Sequence, residues 1–408
     1  MKPPWFHGWN IVAVGFLAQM FAVGLSSGSF SVFVLPLERD LGASRFGVTL
    51  IHSFLFLGMV LLAPLVQVLI SKTSLKICML VGICSLCLGL SLMSTSNSLY
   101  QVIAIYALLI AAGTTFAGTI PSSTLVVNWF SRLRGRAMGI STVGASLGGF
   151  LAPPVAALLI LHLGWRHACL VLALACALLM LPLIWRVIDT SPQARGLYPD
   201  GATAPEQQAQ HHAPGAMKPL TAAQILSQRT YWIVACLTGL GITIQKGVLV
   251  NLVPLAVESG HTAMAGAYLV SALTASMVVG KIVIGAAADR IESFRLFFAA
   301  LLLCAIGVCA IAIWPGYFVL MAGSVLLGVG SGGFFPLLGL VIGEHFPRAM
   351  FAKVMGLLMP AIYLITIPGA PLAGYLYDRT GSYQIALWVY AAILAMTAVG
   401  ALMVQKKR

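Results

Sequence analysis

Acidic residues are the scarcest feature of this chain. Only 10 of 408 residues are Asp or Glu, and charged side chains of both signs make up 8%, against roughly a quarter in soluble domains. With 60% hydrophobic residues, water is excluded as the main solvent. No nucleophile, base and acid set stands out, so an enzyme is not expected. No metal-ligating cluster appears either, and neither a metal nor a cofactor is expected. All eight cysteines sit inside apolar runs. The Cys84-Ser-Leu-Cys87 spacing therefore reads as small buried hydrophobes rather than a metal or redox motif. No cleavable signal peptide is apparent, because the first apolar run is long and lacks a charged n-region before a small-residue cleavage site.

What the chain has instead is a succession of apolar runs, each near the roughly 20 residues needed to cross a bilayer. They lie near 9-36, 46-70, 76-95, 99-127, 137-162, 166-186, 231-256, 264-287, 295-314, 317-343, 351-376 and 383-404. This predicts an all-α membrane protein with twelve transmembrane helices. The net charge of +13 would suggest a nucleic-acid partner if it lay on one soluble face, but position decides otherwise. With the N terminus in the cytoplasm, seventeen of the 23 Lys and Arg fall inside and four outside (Arg39, Arg45, Arg166 and Arg379). That bias predicts both termini in the cytoplasm and no nucleic-acid partner. The remaining two cations, Lys246 and Lys281, fall within helices.

One long hydrophilic break, 189-229, reads as a cytoplasmic linker, with His211-His212 as linker polarity. It divides the chain into bundles at 1-188 and 230-408. Sliding one half on the other at an offset near 217 brings landmarks into register. Leu35-Pro36-Leu37 falls on Val253-Pro254-Leu255, Ser71-Lys72 on Asp289-Arg290, Phe130-Ser131-Arg132 on Phe346-Pro347-Arg348, Met138-Gly139 on Met355-Gly356, and Gly164 on Gly381. Two pseudo-symmetric six-helix bundles are the expected architecture. Gly24 and Gly28, Gly144 and Gly148, and Gly328 and Gly332 have the small-xxx-small spacing of close helix contacts.

Gly285-Ala-Ala-Ala-Asp289-Arg290 resembles the loop motif of the major facilitator superfamily, with an eroded N-terminal copy at Gln67 to Lys72, where Ser71 replaces the acid. Asn128-Trp129-Phe130, Arg134-Gly135-Arg136-Ala137-Met138-Gly139 and the following Gly144, Gly148, Gly149, Pro153 and Pro154 resemble the helix 4-5 junction of the monocarboxylate and oxalate/formate branch. Gly8-Trp9 resembles that branch's opening. The resemblance implies a secondary active transporter in the cell inner membrane. An Asp at a helix end can accept hydrogen bonds from orphan N–H groups at a neighbouring helix start, with the dipole adding about 0.3 to 1 kcal/mol. Gly285, Asp289, Arg290, Arg348 and Arg136 are therefore expected to form a conformational latch.

A cation at a helix centre costs about 2.5 to 3.5 kcal/mol on insertion scales and is a functional candidate by default. Lys246 lies 17 residues past Arg229 and 12 before Glu258, about 18 Å or more from either flank, too far to snorkel out. Lys281 lies eight residues from Asp289, about 12 Å. Neither helix core carries an acid, so an anionic partner from solution, a carboxylate above all, is expected. In the monocarboxylate branch a helix 8 Arg precedes a Gly by four residues, and Lys281 precedes Gly285 by four, so the resemblance makes Lys281 the carboxylate anchor. The chain also departs from that branch. Met277 stands where an Asp is common, the helix 1 Lys has no counterpart between Gly24 and Phe30, and helix 11 has only Lys353, at its start.

Gln19, Tyr106, Asn251, Phe335 and Tyr363 are further candidates to line the cavity, and His52 and Glu258 are the candidates for proton coupling. The expected activity is transport of a small organic anion, a monocarboxylate, by a monomer in the lipid bilayer. Proton symport and exchange against a counter-anion both stay open. An exporter of drugs, siderophores or other amphipathic metabolites is the alternative, and a membrane sensor that binds without transporting is a remoter one.

Overall fold

A computed structural model describes residues 6–198, 200, 221–288, 290–313, 316–346 and 350–405. Among them, eleven helices are long and apolar enough to cross a membrane. They are α1 (Gly8–Leu41), α2 (Arg45–Lys72), α3 (Leu75–Ser94), α4 (Leu99–Trp129), the 54-residue Arg134–Val187, α7 (Arg229–Glu258), α8 (Ala263–Ala287), α9 (Ser293–Ile313), α10 (Tyr317–His345), α11 (Lys353–Thr380) and α12 (Gln384–Leu402). Within Arg134–Val187, Gly164 adopts φ 75° and ψ 160°, a conformation a Cβ would disfavour. It breaks the helix into α5 (134–163) and α6 (165–187), which makes twelve crossing segments, as the apolar runs predict. The protein is an all-α, multi-pass membrane protein.

The internal repeat is written into the backbone. Gly164 and Gly381, aligned above, both have positive φ, and so do Gly42 and Gly260, which stand 218 residues apart at the ends of α1 and α7. Each pair places the same chain reversal at the same point of the two halves.

The helices form two contact units. One comprises Met1–Ser29 with Gly58–Met217, and the other Phe30–Leu57 with Lys218–Arg408. The break in α1 falls just past a π-helical turn, Gly24–Gly28. In the first unit, α1 and α5 meet at glycines. A Cβ built on Gly24 would lie 3.0 Å from the Gly148 carbonyl oxygen, and one on Gly28 3.1 Å from Gly149 Cα. The segments that resemble the monocarboxylate branch also meet here. Trp9 packs against Phe130 with ring centres 5.0 Å apart. Asn128 Nδ2 and Trp129 Nε1 donate to the carbonyls of Thr190 and Asp189 at 3.0 and 2.9 Å, fastening the chain that leaves α6.

Further along that chain, the Asp200 carboxylate accepts from the backbone N–H groups of Ser131, Arg132 and Leu133 at 2.9, 2.6 and 3.2 Å, just ahead of α5. These are donors a helix start leaves without partners. Asp200→Ala is expected to lower local stability by about 1 kcal/mol, the usual value of a helix cap. Hydrogen exchange at residues 131–133 should rise about fivefold, and unchanged exchange would show that the cap contributes nothing.

The second unit holds residues 30–57 against α7 and α11. Val253 N donates to Ser31 Oγ at 3.0 Å, Ser53 Oγ donates to the Ile367 carbonyl, and Phe56 lies 5.6 Å from Tyr363. On the other side of this unit, α8 and α10 close on Gly328 and Gly332, where a Cβ would overlap the carbonyl oxygens of Leu273 and Met277. Residues 201–220, which include about half of the expected linker and His211-His212, lie outside the described residues.

Candidate functional site: a lysine in the middle of α7 and its surroundings

Nearly every residue of α7 from Leu237 to Ala256 is buried, and Lys246 stands half-buried in the middle of that stretch. From α2, His52 lies close enough for the Lys246 charge to act on it. His52 is 1% exposed, held between Phe30 and Phe56 at ring distances of 5.6 and 5.1 Å, and Phe56 in turn contacts Tyr363. Two of the sequence candidates, His52 and Tyr363, are therefore joined through Phe56 in one aromatic row, and the charge of Lys246 acts on it at His52. Next to Lys246, the buried Gln245 directs its amide to Met277 Sδ at 3.9 Å. A thioether thus faces α7 where the family resemblance leads one to expect an Asp. Lys281 is half-buried in α8.

The other candidates are placed differently. Asn251 is buried and engaged within the protein. Its Nδ2 donates to the carbonyls of Gly247 and Ala370 at 2.9 and 3.5 Å, and its Oδ1 accepts from Tyr383 at 3.2 Å. In the first unit, the Gln19 Nε2 donates to the Ser141 carbonyl and hydroxyl at 3.0 and 2.9 Å, and its Oε1 accepts from Thr119 at 3.3 Å. That amide ties α1 to α5 and α4. Tyr106 is 1% exposed and opens the π-helical turn Tyr106–Ile110. Phe335 is 43% exposed.

Of the expected latch, Asp289 and Arg348 lie outside the described residues. Arg290 and Arg136 are exposed, and a Cβ on Gly285 would meet nothing within 4 Å.

Glu258 is exposed at the end of α7 and borders a cavity of about 370 Å³ with Ser259, Ser382, Tyr383 and Gln384. Its charge interacts with Arg45, the centre of a cluster that the sequence reading passed over. Arg45 is 5% exposed. It pairs with Glu38 at 2.7 Å, donates to Tyr383 Oη at 2.6 Å and lies 4.6 Å over the Tyr377 ring. Asp378, at the end of α11, accepts from the backbone N–H groups of Arg45 and Phe46 at 3.0 and 2.9 Å. The signal was in the sequence. Gly374-Tyr-Leu-Tyr-Asp378-Arg379 has the same Gly, three residues, Asp-Arg spacing as 285–290.

Twelve crossings, a repeat and a cation set mid-helix define a polytopic transport protein, and comparison with known proteins agrees. The family model described as Major Facilitator Superfamily matches residues 15–313 and 267–408, and the chain belongs to that superfamily. Monocarboxylate transporter 12-B of Danio rerio is 26% identical over 94% of this chain and 84% of its own. Monocarboxylate transporter 12 of Rattus norvegicus is 25% identical over 98% and 86%. An uncharacterized MFS-type transporter of Bacillus subtilis, YcxA, is 22% identical over 96% and 93%. Among solved structures, a bacterial homolog of the human lysosomal transporter Spinster matches with a TM-score of 0.72 at 12% identity, covering 98% of this chain and 94% of that one. The fold is that of a membrane transporter of this superfamily.

Proposed function

We propose that the protein is a secondary active transporter that moves a small organic anion, a monocarboxylate, across the cell inner membrane by alternating access. Both termini then face the cytoplasm, as the Lys and Arg distribution favours. The observation that carries the reading is Lys246, a cation held among the buried residues of α7 beside His52. An ionisable side chain in that setting is costly, and it marks a substrate or ion path more often than a packing site. In this reading Lys246 and Lys281 attract the carboxylate, Phe56 and Tyr363 offer apolar and aromatic surface to its carbon skeleton, and His52 is placed to exchange a proton. The names of the relatives support the same substrate class. Glu258 belongs with the Arg45 cluster rather than with the anchor.

Proteoliposomes given radiolabelled lactate, pyruvate, oxalate and aromatic acids, with and without an inward proton gradient, test the proposal. Uptake of at least one monocarboxylate is expected. If a proton gradient stimulates it, His52→Gln should abolish the stimulation. If an opposing anion drives it, the protein is an exchanger. No uptake of any of these acids would remove the anion reading and leave the export of amphipathic metabolites in its place.

A further inference from the structure

The spacing Gly-x3-Asp-Arg occurs at the end of α8 and again at the end of α11. These two ends lie three crossings apart, hence on opposite faces of the membrane. In the second copy both the glycine and the acid have visible work. A Cβ on Gly374 would lie 2.6 Å from Thr49 Oγ1 and 2.9 Å from the Arg45 carbonyl oxygen, so the glycine lets the start of α2 come against α11. One turn on, the Asp378 carboxylate takes two first-turn N–H groups of α2, at the positive end of that helix's dipole.

We propose that Asp378 and Arg45 form a clamp that closes the transport path on the face carrying the α1–α2 and α11–α12 connections, and that Tyr383 and Asn251 tie this clamp to the turn of α7 that holds Lys246. The inference rests on the alternating-access reading and adds the residues that hold one of its gates.

Three features mark the contact as one built to part. Asp378 is exposed, so water is at hand to replace its helix-start partners at small net cost. Arg45 is buried, yet among the described residues its Nε finds no hydrogen-bond acceptor, so the closed arrangement leaves an orphan donor that opening would hydrate. The groups around the guanidinium also come from separate segments: Glu38 from the end of α1, Tyr377 from α11 and Tyr383 from the connection before α12.

The tie to Lys246 runs through hydrogen bonds. Burial pushes the Tyr383 pKa above its ordinary value, which keeps the hydroxyl a donor to Asn251 Oδ1 while it accepts from Arg45. Asn251 then donates to the carbonyl of Gly247, the residue after Lys246. A shift of this turn when an anion binds Lys246 would move the Asn251–Tyr383 contact, and loss of the clamp would loosen the same turn. The coupling is reciprocal, as linkage requires.

The test needs no substrate. Ser53 is buried in α2 two turns beyond Arg45, so Ser53→Cys serves as the reporter. A membrane-impermeant maleimide is added in sealed vesicles to the face carrying the α1–α2 connection. Peptide-level mass spectrometry reads residue 53 apart from the eight native cysteines. Adding Asp378→Ala is expected to raise the labelling rate about tenfold, as a shift toward the open state would, and Asp378→Asn should give an intermediate rate.

Ser44→Ala is the control. It removes the Ser44 Oγ acceptor for Gly47 N, a cap local to α2, and should leave the rate within about twofold. If Asp378→Ala labels no faster than Ser44→Ala, Asp378 is only a helix cap and the proposal is overturned. Should Asp378→Ala not yield monodisperse protein, the Asp378→Asn comparison decides by the same criterion. Failure of organic-acid uptake would sink the substrate reading and leave this outcome intact.

Discussion

Lys246→Gln is expected to cut monocarboxylate uptake into proteoliposomes about 10- to 100-fold while the protein still elutes as a folded, monodisperse species. A charge-assisted contact to a carboxylate contributes about 1.5 to 3 kcal/mol, and each 1.4 kcal/mol is a factor of ten. Gln keeps much of the side-chain length and a donor but removes the charge, so the loss reports the ion contact rather than a cavity. Lys246→Arg should retain more uptake than Gln, reduced from wild type by the fixed fork geometry of the guanidinium. Lys281→Gln should raise KM as well, since a second cation in α8 adds attraction. Folding is expected to survive, because removing a cation from the middle of a span lowers the insertion cost. The measurement is initial-rate uptake normalised to reconstituted protein. Uptake by Lys246→Gln within about twofold of wild type, a difference of less than 0.5 kcal/mol, would show that the substrate does not bind there.

The parts of this molecule legible in sequence are those where the solvent dictates the pattern. A bilayer demands a fixed length of apolar helix, so the crossings from α1 to α12 can be read directly, and the break at Gly164 shows as a glycine between two apolar runs, with His162 and Arg166 on either side. Lys246 is equally legible because a cation stands out there, whereas its nearness to His52 is a tertiary fact that no spacing in the chain announces. Tertiary contact left weaker marks. Nothing in the composition at Ser29 or Leu57 announces that residues 30–57 join the second contact unit. Arg45 counts only as an outside charge in the positive-inside reckoning, although it is buried against Glu38 and Tyr383. The Gly374 to Arg379 motif lay in plain view but at a helix end where its partner, the start of α2, is more than 300 residues away in the chain. Gln19 and Asn251 carry contacts that the sequence did not announce. A polar residue in a membrane helix suggests a cavity, but both amides are engaged by neighbouring helices, as buried polar groups in lipid must be.

Gly148→Val is expected to be the most damaging single change to the fold. The α1–α5 contact is made by backbone against backbone: a methyl on Gly148 would overlap the Met20 carbonyl oxygen and lie 3.0 Å from the Gly24 amide nitrogen, and one on Gly144 would overlap the Phe16 carbonyl oxygen. None of these atoms belongs to a flexible side chain that could turn aside. The helices would have to separate, and in a membrane little hydrophobic force draws them back, since van der Waals packing is what holds small-residue contacts together. Overpacking of a close-packed interior costs about 1 to 3 kcal/mol even where side chains can adjust, so a backbone clash belongs at or above the upper end. The expected result is loss of the monodisperse peak in size-exclusion chromatography at a temperature where wild type survives, with Gly148→Ala falling between the two. Gly139, in the same helix, supplies the control. A Cβ there meets nothing within 4 Å, so Gly139→Ala should leave the thermal midpoint unchanged or slightly raised. A midpoint for Gly148→Val within about 2 °C of wild type would mean that α1 and α5 can part without cost, and the close contact would lose its structural role.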